Sequence, residues 1–426
     1  MSGPWRDPRL SDPAAGEGNA GHAAWAPVTP TLPAAVLEAG RLRPAWAEID
    51  LDAVRANAEL LVRLVAPSRL CAVVKAGGYG HGSIPIARAA LAGGATHLAV
   101  ALVEEGRRLR DAGIDAPVLI LSEPPAAAMA EVVASGLTPT IYSRPGLDAI
   151  SAAARNTAAE ALAVHVKVDT GMHRVGAPPA DAVALALEVS RRTELVLEGF
   201  WTHFAVADDL ADPYTDAQVA DFEAAVASLA AAGVRPPLLH AANSAGAIWH
   251  PAARFDLVRC GIALYGLAPS AELAGEGIAS RLRPAMSLRA RVSHTKSVKA
   301  GERLSYGLRY RLERDSVIAT IPLGYADGVT RRLSSAGGEV LIGGRRRPLA
   351  GAVTMDQILV DCGPDADVAI GDEVVLLGRQ GGEVIDAWEW AQRTETIAWE
   401  VVCGVSGRVP RTYRGQLSEH SEGELG

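Results

Sequence analysis

The sequence predicts an α/β fold: a (β/α)8 TIM-type barrel followed by a mostly antiparallel β domain. Two observations carry this expectation. Between residues 45 and 280, eight short apolar runs alternate with Ala-rich amphipathic stretches. From about residue 281 the alternation stops, and strand-like runs are separated by Gly-rich turns. Buried parallel strands read as continuous apolar runs, and repeated βα alternation fits a closed barrel. A doubly wound open sheet is the rival, but no G-x-G-x-x-G opens a helix after the first run.

Taken in order, residues 1–44 hold seven of the 26 prolines, too many for sustained hydrogen-bonded structure, and read as a disordered extension. The barrel, residues 45–280, has candidate strands at 70–74, 97–103, 117–121, 138–142, 164–168, 195–200, 238–242 and 257–264. The β domain, residues 281–413, has strand-like runs at 286–292, 317–323, 339–342, 357–360 and 373–377. Residues 414–426 are polar and acidic and read as a flexible tail.

Length and composition narrow the function classes. A chain of 426 residues suggests two or three domains, and 49% apolar with 21% charged residues is globular composition. The net charge of -8 lacks the basic excess of a nucleic-acid binder. Cys71, Cys260, Cys362 and Cys403 form no C-x-x-C pair, so neither a zinc site nor a disulfide framework is expected. No apolar run approaches the ~20 residues of a membrane span, and no signal peptide is evident. The chain reads as cytoplasmic, without a membrane or nucleic-acid partner.

Only four lysines occur, Lys75, Lys167, Lys296 and Lys299, against 37 arginines, and an amine can do covalent chemistry that a guanidinium cannot. In a barrel, catalytic groups sit where strands end. Lys75 ends the first run, before Gly77, Gly78, Tyr79, Gly80, His81 and Gly82; a desolvated amine there suits a Schiff base, and the plain alternative is a turn with a solvent-exposed lysine. Lys167, Asp169 and Arg174 follow the fifth run, three charges that ask for mutual pairing. His203 follows the sixth and places an imidazole at the mouth, although a lone histidine is more often a structural residue. Asn243 and Ser244 precede a helix start, an anion site or a simple N-cap. Arg259, Gly261 and Ile262 lie in the eighth run, where barrels commonly seat phosphate. Together they suit pyridoxal phosphate, with no metal cluster and no hydrolase triad.

At this point the residues resemble a known family, the bacterial alanine racemases (PLP-dependent, fold-type III). The likeness runs through Ala72 to Gly82, Lys167 to Arg174, Thr202-His203-Phe204, Asn243-Ser244, Arg259 to Gly266, Ser305-Tyr306-Gly307, Pro322 to Gly328, Thr354 to Gln357 and Arg408 to Arg411. The resemblance implies a homodimer with shared active sites. It implies that Lys75 holds the cofactor and that Tyr79, Ser244, Gly261 and Ile262 bind its phosphate. Arg259 would face the pyridine nitrogen and His203 pack near the ring. Tyr306, Met355 and Asp356 would come from the other subunit, with Arg174 near the substrate carboxylate. Lys167 aligns with a lysine that family members often carbamylate. Two positions depart from the pattern: Gly77 replaces the usual Asn or Asp, and Gly407 stands where some members carry Tyr.

Racemisation removes a Cα proton on one face and returns one on the other, so two bases are expected, Lys75 and Tyr306; the phenol needs cations beside it. The function implied is interconversion of L- and D-alanine to supply D-alanine for peptidoglycan. The alternatives are a broader racemase acting on serine or lysine, a barrel-type decarboxylase, and a non-catalytic PLP-binding protein.

Overall fold

A computed structural model describes residues 43–156, 161–364 and 366–416. The expected extension and most of the expected tail lie outside the described residues. No described helix is long and apolar enough to cross a membrane.

All eight apolar runs of the first domain form strands. They are β2 (Arg69–Val73), β3 (His97–Val100), β4 (Val118–Ile120), β5 (Thr138–Ile141), β6 (Leu162–Lys167), β7 (Leu195–Trp201), β8 (Leu238–His240) and β9 (Leu257–Cys260). Every neighbouring pair is parallel, in the order β8-β7-β6-β5-β4-β3-β2-β9. Bonds from Asp256 N–H to the Leu239 carbonyl (2.9 Å) and Arg259 N–H to the Ala242 carbonyl (3.0 Å) tie the last strands together and close the ring. Strands β3, β4 and β9 are buried at every position, as continuous apolar runs require. Some of the helices start where the sequence supplies a side-chain cap. Asp50 accepts from Ala53 N–H (2.8 Å) ahead of helix Leu51–Val65, and Ser143 accepts from Gly146 N–H (3.0 Å) ahead of Arg144–Arg155.

The first residues of the expected barrel segment pair elsewhere. Strand β1 (Ala45–Asp50) is not part of the barrel; it pairs antiparallel with Met286–Arg291 and parallel with Arg411–Arg414, inside the second domain's sheet. Its pattern, with Ala45, Ala47 and Ile49 buried and the residues between half-buried, has the two-residue period of such a sheet rather than that of a barrel strand. The remainder of this sheet comes from Glu339–Ile342, Arg345–Pro348, Glu373–Gln380 and Glu383–Ile385. A second antiparallel sheet joins His294–Val298, Ser316–Ile321 and Ile358–Asp361. The expectation of strands missed two helices, Ala387–Thr394 and Ala398–Cys403, which bring the second domain against the barrel mouth.

Candidate active site

The strand ends at the C-terminal mouth of the barrel enclose a cavity of about 590 Å³. It is lined by nine of the twelve residues to which the resemblance gives a role: Lys75, Tyr79, Lys167, Arg174, His203, Ser244, Arg259, Gly261 and Ile262. The other three, Tyr306, Met355 and Asp356, line a separate depression on the β domain, with Tyr325 and Arg331. One chain therefore does not bring the two groups together.

Lys75 is placed by an unusual turn. Ala76, Gly77, Gly78 and Tyr79 all have positive φ (53, 61, 64 and 52°), one left-handed turn directly after the lysine. L-residues pay ~1–2 kcal/mol each in this region, which glycine avoids and Asn or Asp tolerate best. Gly77 thus satisfies the same backbone demand as the Asn or Asp expected there, and its missing side chain leaves open space. Glu105 pins the turn by accepting from Ala76 N–H (2.6 Å) while capping its own helix at Ala101 and Leu102. Burial, then the Arg174 guanidinium, lowers the Lys75 pKa and favours the free amine.

One end of the cavity is built to meet an anion. Ser244 Oγ accepts from Gly261 N–H (3.0 Å), and the Tyr79 ring, stacked on Tyr265 at 4.7 Å, brings its hydroxyl against Gly261. A Cβ at Gly261 would lie 2.3 Å from that hydroxyl, so only glycine allows the approach. Burial pushes the Tyr79 phenol up, which keeps it a proton donor.

The other end is cationic. Arg259, 3% exposed, shares its two Nη2 protons among the Thr202 and Ala241 carbonyls (2.8 and 3.0 Å) and His203 Nδ1 (3.1 Å), and donates from Nη1 to His240 Nδ1 (2.8 Å). Its Nε–H takes no part in these bonds. Burial and the facing Arg259 hold His203 well below its ordinary range, so the imidazole is neutral.

Lys167 does not find the ionic partner its sequence neighbours suggested. Asp169 instead accepts from the Gly171 and His173 amides (3.0 and 3.1 Å), and among the described residues no carboxylate pairs with Lys167. The ammonium lies over the Trp201 ring (4.3 Å), which Arg259 also contacts (4.4 Å), a contact worth about 2 kcal/mol when desolvated. Burial, then Arg259 and Arg174, lowers the Lys167 pKa to about 7. Between that value and 10.5 the unfolded chain holds a proton that the folded chain has released. The unmodified protein should therefore gain stability as pH rises through this window, by up to ~1.4 kcal/mol per pH unit from this group. Denaturant titrations across the window should show a shallower slope for Lys167→Met.

Sequence reasoning missed Trp201, Glu105 and the two cavity residues from the second domain, Trp399 and Cys403. The local string gave one usable signal: Trp201 directly precedes Thr202-His203 at a strand end.

A recessed amine, a hydroxyl and amide cradle at one end and a buried guanidinium at the other define a lysine-bearing barrel enzyme that takes an anionic, ring-bearing cofactor. Residues 49–269 match the family description "Alanine racemase, N-terminal domain", and residues 285–413 match "Alanine racemase, C-terminal domain". The chain is 48% identical to an alanine racemase of Symbiobacterium thermophilum, over 88% of this chain and 99% of the relative. It is 45% identical to one from Desulfovibrio desulfuricans, over 87% and 98%. Among solved structures, the alanine racemase of D-cycloserine-producing Streptomyces lavendulae superposes with a TM-score of 0.83 at 40% identity, covering 89% of this chain and 99% of that one. The chain belongs to the alanine racemase family. It interconverts L- and D-alanine, with pyridoxal 5'-phosphate as cofactor.

Proposed function

We propose that Lys75 and the partner subunit's Tyr306 are the two proton-transferring groups, working on opposite faces of the substrate Cα in a cavity that two copies of the chain complete. One observation carries this reading. Tyr306 is 76% exposed in a depression that shares no lining residue with the Lys75 cavity. The one tyrosine that does line that cavity, Tyr79, is occupied at the anion cradle. Met355, 52% exposed beside Tyr306, and Leu308 extend an uncovered apolar patch that a second copy would bury.

The residues present fit the cofactor. Tyr79, Ser244 and the amides of Gly261 and Ile262 would hold its phosphate, and the unused Arg259 Nε–H would meet the pyridine nitrogen, with neutral His203 beside the ring. When bound, pyridoxal phosphate supplies the electron-withdrawing ring that acidifies the substrate Cα–H. The lowered pKa of Lys75 leaves its amine able to take or return a proton at one face. The partner's Tyr306 serves the other face, near the Arg174 and Arg259 cations. Arg174 holds the substrate carboxylate, and the partner's Met355 and Asp356 narrow the entrance. The neutral Lys167 amine is the form that adds carbon dioxide, and the resulting carbamate would give Arg174 an anionic partner. In this reading the enzyme is a cytoplasmic homodimer supplying D-alanine for peptidoglycan, with its barrel ending near residue 280 and its β domain near residue 413.

Mixing subunits tests the shared cavity. Lys75→Ala and Tyr306→Phe variants, each inactive alone, should regain activity when unfolded and refolded together, because each mixed dimer assembles one intact site. Recovery should approach roughly a quarter of the wild-type sites. No recovery, with mixed dimers present, would place both groups in one chain and end the proposal.

A further inference from the structure

Behind Arg259 the barrel interior holds a line of hydrogen bonds that the proton-transfer roles leave unused. His240 Nδ1 accepts from Arg259 Nη1 (2.8 Å). His240 Nε2 lies 2.9 Å from His165 Nδ1, and His165 Nε2 lies 3.0 Å from Glu198 Oε2. The four residues sit on the four consecutive strands β9, β8, β6 and β7 of the closing side, and both imidazoles are buried.

The backbone is shaped for this line. In the β6–β7 ladder Val164 pairs with Leu197 but His165 pairs with Gly199, so Glu198 is the extra residue of a bulge. Bulges re-aim side chains, and this one turns a carboxylate to the imidazole. A Cβ at Gly199 would lie 2.4 Å from His165 Nδ1, so that position too is kept clear for the ring.

The chemistry fixes the direction of every proton. A guanidinium offers only donors, so His240 Nδ1 must be a lone pair and its proton must sit on Nε2. That proton points at His165 Nδ1, which must then accept, leaving the second ring's proton on Nε2 as well. A carboxylate, which only accepts, is the group that terminates such a line without conflict. His203 Nδ1, accepting from Arg259 Nη2, is set the same way.

We infer that Glu198 is a positioning residue for the racemase reaction: through His165 and His240 it holds a single proton order that keeps Arg259 turned with Nε–H toward the cavity. The inference rests on the reading that Arg259 meets the pyridine nitrogen. The surroundings agree with it. The hydrogen bond from His165 holds the Glu198 carboxyl below its usual range, and Arg69 adds positive field on the same side. Burial and Arg259 hold His240 neutral. Without the carboxylate, either imidazole could carry its proton on the other nitrogen, and an Nδ1–H on His240 would push against the guanidinium. A displaced Arg259 would let the pyridine nitrogen protonate. That would favour a side reaction in which the proton goes to the cofactor's carbonyl carbon rather than back to Cα, and water releases alanine's carbon skeleton as pyruvate while its amino group stays on the cofactor.

The test has two readouts. Long-range proton–nitrogen NMR of histidine-labelled holoenzyme should show Nε2–H on both His165 and His240. In Glu198→Leu one or both should change tautomer, while Glu198→Gln, whose amide oxygen still accepts, should keep the wild-type pattern. The fraction of turnovers ending in cofactor amine, followed as loss of visible absorbance, should rise on the order of tenfold in Glu198→Leu and return toward wild type in Glu198→Gln. Nδ1–H or doubly protonated rings in the wild type would overturn the proton order. Changed tautomers with an unchanged side-reaction fraction would overturn the positioning role. Arg259→Lys separates the underlying reading: if it leaves that fraction unchanged, Arg259 does not govern the pyridine nitrogen, whatever the histidines show.

Discussion

Lys75→Ala should abolish the visible absorbance of lysine-bound cofactor and lower racemisation by at least ~10⁴, the upper end of what one positioned proton donor contributes, with the covalent anchor lost as well. The fold should survive. The Lys75 ammonium is disfavoured by burial and by Arg174, so its removal relieves a penalty and breaks no ion pair. Compared with cofactor-free wild type, thermal unfolding should therefore stay near the same midpoint, and a small primary amine added to the medium should restore part of the activity. Retained absorbance would refute the assignment of the lysine. An unfolded variant would show that the left-handed turn at residues 76–79 depends on the side chain rather than on Glu105.

Tyr306→Phe should behave differently. Tyr306 touches neither the anion cradle nor the Arg259 cluster of its own chain, so cofactor content and absorbance should match wild type. Exchange of the Cα proton with deuterated solvent should slow by ~10²–10⁴ for one alanine enantiomer and far less for the other, because each base serves one face. Equilibrium ties the net rates in the two directions, so the exchange of each enantiomer is the measurement that discriminates. Equal slowing of both exchanges would remove Tyr306 from the proton path.

The barrel was legible because its strands are buried on both faces, which leaves uninterrupted apolar runs such as 70–73 and 118–120. The pairing of strand β1 was not legible because sequence adjacency favours the nearer partner, whereas its alternating burial belongs to a sheet completed more than 230 residues later. Helices Ala387–Thr394 and Ala398–Cys403 escaped because they are short and interrupt a strand-rich stretch. The cavity side chains could be read since uncommon residues ended apolar runs. The Glu198–His165–His240 line could not, because it depends on a register shift between β6 and β7 that no local string encodes. Polar residues inside otherwise apolar strands were the available hint.

The position of Ala45–Asp50 binds the two halves of the chain into one folding unit. This strand is sandwiched between Met286–Arg291 and Arg411–Arg414, so severing the chain near residue 280 would not yield two independent modules. The downstream fragment would lack an interior rib of its sheet and expose two raw edges, each a template for aggregation. Adding back a peptide spanning the missing rib should rescue its solubility.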